Sequence, residues 1–289
     1  MYRQDFEIAG VSMSLYTFQD WAEEPAFLPF VKCSEVPDYQ VLFQLVNVLP
    51  EVSNEIIHED ECYRIHLDGK GGYLRTFFDA PRDMTPYAVA EYNHERGRIR
   101  IDCLKKGAHC VSELHNSFFH IGFESMLIHK RRLCVHAACV DTALGGILFS
   151  GPSGIGKSTQ AKLWCDYRDA TQINGDRPIL SKEESGWFAW GAPYAGSSKC
   201  HVNKNCPITA MVILRQADKC SLHRLKKSEA FREIWAGLTI YKWDKWFVEE
   251  AADLAMELVD TVPIFQYFCT PDEYAVDYLE EELRKECCL

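Results

Sequence analysis

The sequence predicts a mixed α/β fold in two parts. Residues 1–130 form a strand-rich N-terminal domain ending in a helix, and residues 131–289 form a domain built on a glycine loop and finished by C-terminal helices. Three observations carry this prediction. Over the first hundred positions apolar and polar residues alternate between turn-forming clusters, the period-two mark of half-buried strands. From Val111 to His129 the period becomes helical, with Leu114, Phe118, Phe119, Phe123, Met126 and Leu127 on one face. Further on, the apolar run Gly146-Ile-Leu-Phe-Ser150, the stretch Gly151-Pro-Ser-Gly-Ile-Gly156 and the segment Lys157-Ser-Thr-Gln-Ala-Lys-Leu-Trp164 read as strand, loop and helix.

Met1 to Phe6 begins a polar strand, and loose alternation from Phe6 to Phe18 reads as one half-buried strand before an acidic, proline-bearing loop at Glu23 to Pro29. Tyr39 to Leu49 is the next strand. Cys62 to His66 and Gly72 to Phe77 flank Asp68-Gly-Lys-Gly-Gly72, whose glycines supply the positive φ of a tight hairpin. Tyr87 to Tyr92 and Arg98 to Leu104, joined by Asn93 to Gly97, repeat the pattern, so the region is mostly antiparallel. His115, His120 and His129 share the following helix, but five-residue spacing points His115 and His120 in different directions, which favours surface or core roles over a metal. Lys130-Arg131-Arg132 reads as a solvated helix end whose cations complement the dipole.

Leu133 to Val140 and the strand after Gly145-Gly146 make a hairpin that sets His136 opposite Ser150 or Gly151. Thr171 to Asn174 is a strand lying beside the loop strand if it is parallel. Ile179 to Ser181 and Trp187 to Trp190 form a hairpin, and Gly191 to Ser198 is a small-residue loop followed by Lys199 and Lys204. Thr209 to Leu214 is the most apolar strand, with Ser221 to Leu225 as its expected partner. The remainder reads as helical: Ser228 to Gly237, Lys245 to Leu258, and Thr270 to Leu283 with Thr270 as N-cap and Pro271 at N1.

Composition narrows the possibilities. Hydrophobic residues at 47% and charged residues at 25% are ordinary globular values, so a packed chain is expected. A formal net charge of -11 argues against sequence-independent nucleic-acid binding, which requires a basic face. The 13 cysteines are odd in number and irregularly spaced, and a polar strand stands where a signal peptide would be read. Reduced thiols in a cytoplasmic protein are therefore expected. Cys200, His201 and Cys206 lack a second ligand pair at zinc spacing, and Cys287-Cys288-Leu289 is no prenylation signal. No stretch approaches the run of about eighteen apolar residues that spans a membrane.

Residues 151–158 match G-x-x-x-x-G-K-[ST] completely. Glycines let successive backbone N–H groups turn inward into a nest for phosphate oxygens, and the helix that follows adds the positive end of its dipole. Gly151, Ser153, Gly154, Ile155, Gly156, Lys157, Ser158 and Thr159 are thus the expected phosphate cradle. Lys157 reaches β- and γ-phosphates in such loops, and the Ser158 hydroxyl suits Mg²⁺. Asp176, in Asn174-Gly-Asp-Arg177, is placed either to hold Mg²⁺ or take a proton from a hydroxyl, or to serve as a turn aspartate. His136 is either a titratable group beside the phosphates or a buried histidine bonded to backbone.

His136-Ala-Ala-Cys-Val-Asp141, the short glycine turn, residues 146–158 and Asn174-Gly-Asp-Arg177 together closely resemble the HPr kinase/phosphorylase catalytic domain, a P-loop fold of the HPr kinase and phosphoenolpyruvate carboxykinase type. The likeness covers residues 133–180 and extends more weakly to Thr270-Pro-Asp-Glu-Tyr-Ala-Val-Asp-Tyr-Leu279, whereas residues 1–130 do not look like the N-terminal domain of that enzyme. The resemblance implies ATP and Mg²⁺ as cofactors, Lys157 on phosphate, Ser158 at the metal, His136 near the phosphates and Asp176 as proton acceptor, whereas the loop before Lys199 either closes that lysine over the phosphates or is a plain surface loop. Three departures stand out: Gly175 replaces the first aspartate of a pair, one residue is inserted between Lys157 and Asp176, and Pro193 to Lys199 occupies the place of an acidic metal-ligand motif. They set the chain nearer to bacterial kinases of peptide-modification pathways than to the regulatory enzyme. The expectation is an ATP- and Mg²⁺-dependent kinase acting on a serine of a peptide or small protein. A small-molecule alcohol kinase and a catalytically inactive nucleotide-binding regulator are the alternatives. No nucleic acid or membrane is expected as partner, and a homo-oligomer is compatible with the sequence.

Overall fold

A computed structural model describes residues 1–53, 55–68, 72–79 and 83–287. Gly69, Lys70 and Gly71 of the expected hairpin loop, and Cys288-Leu289 at the terminus, lie outside the described residues. The chain divides into two compact units, Met1–His129 and Lys130–Leu289.

In the N-terminal unit, β1 (Tyr2–Ile8), β2 (Val11–Thr17), β3 (Tyr39–Val46), β4 (Ile56–Glu59), β5 (Tyr63–Leu67), β6 (Tyr73–Asp79), β7 (Asp83–Asn93) and β8 (Arg98–Leu104) form one sheet in the order β1-β2-β3-β8-β7-β6-β5-β4. The pairs β2–β3 and β3–β8 are parallel and the others antiparallel. The single strand expected over residues 6–18 is a hairpin, reversed where Ala9 and Gly10 take φ of 51° and 74°. The single helix expected over 111–129 is two, α1 (Leu114–Ile121) and α2 (Phe123–His129), because Gly122 adopts φ 62° and ends the first. Phe118 packs edge-on against Phe6 at 5.6 Å, and Phe27 closes the same core. Each such ring contributes about 1.5–3 kcal/mol by leaving water. His120 is buried, with Nδ1 donating to the Asn116 carbonyl at 2.6 Å and Nε2 accepting from the Tyr87 hydroxyl at 2.7 Å. His129 stacks on His94 at 4.0 Å.

In the second unit, β9 (Arg132–Cys134), β10 (Ala137–Thr142), β11 (Gly145–Ser150), α3 (Lys157–Arg168), β12 (Thr171–Asn174), β13 (Ile179–Glu183), β14 (Gly186–Trp190), β15 (Asn205–Gln216), β16 (Ser221–Arg224), α4 (Lys227–Gly237), α5 (Lys245–Thr261), β17 (Ile264–Cys269) and α6 (Glu273–Glu286) follow in order. The sheet runs β12-β10-β11-β15-β14-β13-β9, and β17 joins β15 and carries β16 on its far side. Its central strands β11, β15 and β17 are parallel. Trp164 of α3 and Leu279 of α6 are buried in one core with Val140, Phe149, Val212 and Phe265 of the sheet. No helix among the described residues is long and apolar enough to cross a membrane.

Several expectations change here. β12 pairs with β10, antiparallel, and not with β11. The local β10–β11 hairpin already occupies one edge of β11 and β15 the other, so the returning strand is displaced by one place. β16 pairs with β17 and not with β15. The segment Ile264–Cys269, read as part of a helical region, is a strand parallel to β15. Asp272, not Thr270, caps α6, its carboxylate accepting from the Ala275 N–H at 3.1 Å while Thr270 Oγ1 donates to it at 2.8 Å. Lys130 and Arg131 follow α2 and are exposed, as a solvated helix end requires, with Arg131 reaching Glu250 and Glu257, whereas Arg132 starts β9 and pairs with Glu183.

Candidate active site

The glycine loop leaves β11 after Ser150 and enters α3 at Lys157. Gly151, Gly154 and Gly156 take φ of 137°, 77° and 113°, values open at low cost to glycine alone. A Cβ at Gly154 or Gly156 would meet no atom within 4 Å, so glycine is there for the backbone path and not for space. The result is a concave loop opening to solvent at the N-terminus of a twelve-residue helix. Lys157 is 8% exposed and donates to the carbonyls of Gly151 and Pro152, both at 3.1 Å, while burial lowers its pKa. The ammonium is thus folded back over the loop, and an anion in the nest offers it better acceptors than two neutral carbonyls.

The β10–β11 hairpin pairs Ala137 with Ser150, and His136 stands one residue further, beside the start of the loop. Its N–H donates to the Gly237 carbonyl at 2.7 Å and its carbonyl accepts from Ser150 Oγ at 3.2 Å. Those bonds use its backbone, and the imidazole faces the cleft. Nε2 lies 3.3 Å from Asp176 Oδ1. Burial chiefly, then the Lys157 charge, lowers the His136 pKa, with Asp176 opposing. The balance favours the neutral ring.

Asp176 is positioned by Asn174, which is fully buried at the end of β12. Asn174 Oδ1 accepts from the Asp176 and Arg177 N–H groups at 2.8 and 2.7 Å, and its Nδ2 donates to the carbonyls of Ala192 and Tyr194 at 3.3 and 3.1 Å. The turn chemistry of Asn-Gly-Asp is thus performed by Asn174. The Asp176 carboxylate is released to face His136. Arg177 also holds it at 3.7 Å and donates to Thr239 Oγ1 at 3.0 Å.

These groups meet around a cleft of about 320 Å³, lined by His136, Ser153, Lys157, Ser158, Asp176 and the loop glycines, with Thr159, Gly175 and Ser197 at its walls. A second cavity of about 580 Å³ adjoins it and shares Gly154, Gly156 and Thr159; Ile155, Gln216 and Thr270 close its other side. Gly151 lies beneath, against the Leu214 carbonyl. Lys199, which a closing loop would bring to the phosphates, is not among the residues lining the cleft, where Ser197 stands instead. The donor set suits a magnesium–phosphate group: the exposed Ser158 hydroxyl, one carboxylate and an ammonium around an open nest of backbone amides.

The residue at 175 has a local explanation. A Cβ there would lie 2.1 Å from Ser198 Oγ and 2.4 Å from Ser198 Cβ, because the Gly196–Ser198 turn packs directly on it. Gly196, at φ 55°, fits against Asp176 in the same way: its own Cβ would be 2.9 Å from that of the aspartate. The roles of Asn174 and Ser197 were missed from the sequence. Asn174 carried a signal, since an asparagine followed by two amides needing partners is an Asx turn, whereas Ser197 carried none.

No family model matches the chain. No curated protein matches its sequence. Among solved structures it is similar to the Hpr(Ser) kinase/phosphatase from Coxiella burnetii, at 13% identity and a TM-score of 0.34, over 53% of this chain and 97% of that one.

Proposed function

We propose that the chain is an ATP- and Mg²⁺-dependent kinase that moves the γ-phosphoryl group to an alcohol, with a serine of a peptide or small protein as the acceptor. The observation that carries this reading is the Asp176 carboxylate 3.3 Å from His136 Nε2, on a cleft that also holds Lys157 and Ser158. In this reading the loop amides and Lys157 bind the phosphates, and Ser158 and Asp176 would hold Mg²⁺, which would neutralise charge on the transferring group. Asp176 accepts the proton of the acceptor hydroxyl as its oxygen bonds to phosphorus, and ADP leaves with the bond electrons. Neutral His136 holds the carboxylate in place and donates a hydrogen bond without adding charge. The larger adjoining cavity takes the nucleoside. The cysteines suit a reducing compartment, and we place the reaction in the cytoplasm.

A second reading, a small-molecule alcohol as acceptor, is favoured by the modest 320 Å³ of the cleft, which fits one small alcohol as well as one side chain. Incubation with labelled ATP and parallel panels of serine peptides and metabolites separates the two. Asp176→Ala is expected to lower transfer by at least about 100-fold while leaving ATP affinity within a few fold. Undiminished transfer in that variant removes the base assignment. ATP binding with no acceptor phosphorylated in either panel favours a nucleotide-binding regulator.

A further inference from the structure

Away from the cleft, the N-terminal unit brings Asp79, His109 and Cys110 together so that one ligand atom from each lies within 4.8 Å of the others. Asp79 Oδ2 is 3.5 Å from His109 Nε2, and Cys110 Sγ is 3.3 Å from the same nitrogen. One ring nitrogen carries at most one proton, and 3.5 Å is long for a hydrogen bond. The thiol S–H can donate to this nitrogen, and the carboxylate stands against the same atom, so one sulfur, one nitrogen and one oxygen converge. A cation at their centre satisfies all three at once.

The spacing fits a small tetrahedral ion. Bonds of 2.0–2.3 Å to zinc give edges of about 3.3–3.7 Å between ligand atoms, close to the two separations on His109 Nε2, and the Asp79–Cys110 edge, within 4.8 Å, draws in where it exceeds that range. One thiolate, one imidazole and one carboxylate suit zinc, whereas magnesium and calcium require oxygen. The backbone presenting the pair is fixed. His109 and Cys110 sit in the 3-10 turn Lys105–Val111, whose Gly107 lies so close to Tyr87 that a Cβ would be 2.4 Å from the ring. At the end of the turn, the Val111 carbonyl accepts from Trp21 Nε1 and Ser117 Oγ, both at 3.2 Å, and the His109 carbonyl accepts from Ser112 Oγ at 2.7 Å. Asp79 closes β6 opposite. The Tyr87 hydroxyl, which bonds His120, also reaches the Cys110 sulfur.

We propose that Asp79, His109 and Cys110 form a zinc site with one position left to water, tying the 105–111 turn to the end of β6. Binding releases the thiol proton and forms one sulfur–metal, one nitrogen–metal and one oxygen–metal bond, with no change of oxidation state. The test is cobalt(II) titration of the full chain after treatment with chelator. Expected are one equivalent bound, visible absorption of tetrahedral cobalt, a near-ultraviolet sulfur-to-cobalt band, and displacement by zinc. Cys110→Ser should abolish the sulfur band, Asp79→Asn and His109→Gln should each weaken binding at least tenfold, and Cys200→Ser should change nothing. Thermal unfolding without metal checks that each variant is folded, and any one of the three suffices if another is not. Spectra and affinities equal in wild type and these variants, or no tetrahedral band in wild type, overturn the proposal.

Discussion

Replacing Gly175 with alanine tests the packing explanation of that position. The added carbon would lie 2.1 Å from Ser198 Oγ, 2.4 Å from Ser198 Cβ and 3.0 Å from Gln172 Nε2, so the Gly196–Ser198 turn must retreat by roughly 1 Å to restore van der Waals distance. Ser198 Oγ donates to the Ala195 carbonyl at 2.6 Å and accepts from the Cys200 N–H at 3.2 Å, and that retreat strains both bonds. Overpacking of this kind costs about 1–3 kcal/mol. Restriction of the unfolded chain by alanine returns about 0.4–1 kcal/mol, leaving a net loss of roughly 1–2 kcal/mol. Urea denaturation followed by tryptophan fluorescence measures it, since Trp21 alone among 7 tryptophans lies in the N-terminal unit. Ser198→Gly removes the clashing atoms, so the double variant should recover at least about 1 kcal/mol relative to additivity. A Gly175→Ala protein within about 0.3 kcal/mol of wild type, or additive single effects, refutes the reasoning. Because Gly196 also abuts Asp176, the alanine variant should lose phosphotransfer more than nucleotide affinity.

Three further outcomes are expected. Lys157→Ala should weaken ATP binding by at least tenfold, a loss of about 1.4 kcal/mol, in isothermal titration; unchanged affinity means the nest alone binds the phosphates. Burial holds His94 at about 3 and His120 and His129 at about 4, below the usual 6.5, so the unfolded chain binds more protons in that interval. Stability of the N-terminal unit is therefore full above pH 6.5 and falls as pH drops toward 4, by up to about 1.4 kcal/mol per pH unit for each fully buried ring. His120→Gln should flatten that slope, and equal denaturation midpoints at pH 7 and 5 contradict it. Arg168 ties α3 to Asp277 and Glu280 of α6, and Arg168→Ala should cost about 1 kcal/mol in thermal unfolding, an amount that shrinks in high salt.

The glycine loop was legible because its information is local: positive φ, a lysine and a hydroxyl follow each other within eight positions. The position of His136 was legible through the short hairpin, where counting outward from Gly145 needs no distant partner. What stayed hidden depends on contacts far along the chain. Nothing near Thr171 shows that its strand edge is met by Cys139 and Val140. Pro263 and the flanking helices mask Ile264–Cys269, which is a strand because β15 offers it a parallel edge. Gly122 shows the opposite limit, since one residue of left-handed backbone cuts a helix whose apolar period runs straight through it. The reason for Gly175 was likewise invisible, as Ser198 is distant in sequence and adjacent only in space.

The intercalated strand β10 has a consequence for reach. Strands lie about 4.8 Å apart, so Asp176 starts from a position roughly 10 Å from the strand that feeds the glycine loop, with His136 at the entry to the strand between. Had β12 lain directly beside β11, the carboxylate would crowd the loop and leave no width for a second reactant. The sheet thus acts as a ruler, and its middle division is set by the turn joining Thr142 to Gly145. One residue inserted in that turn would slip β10 against β11 and send the His136 side chain to the opposite face, disarming the cleft from its far end.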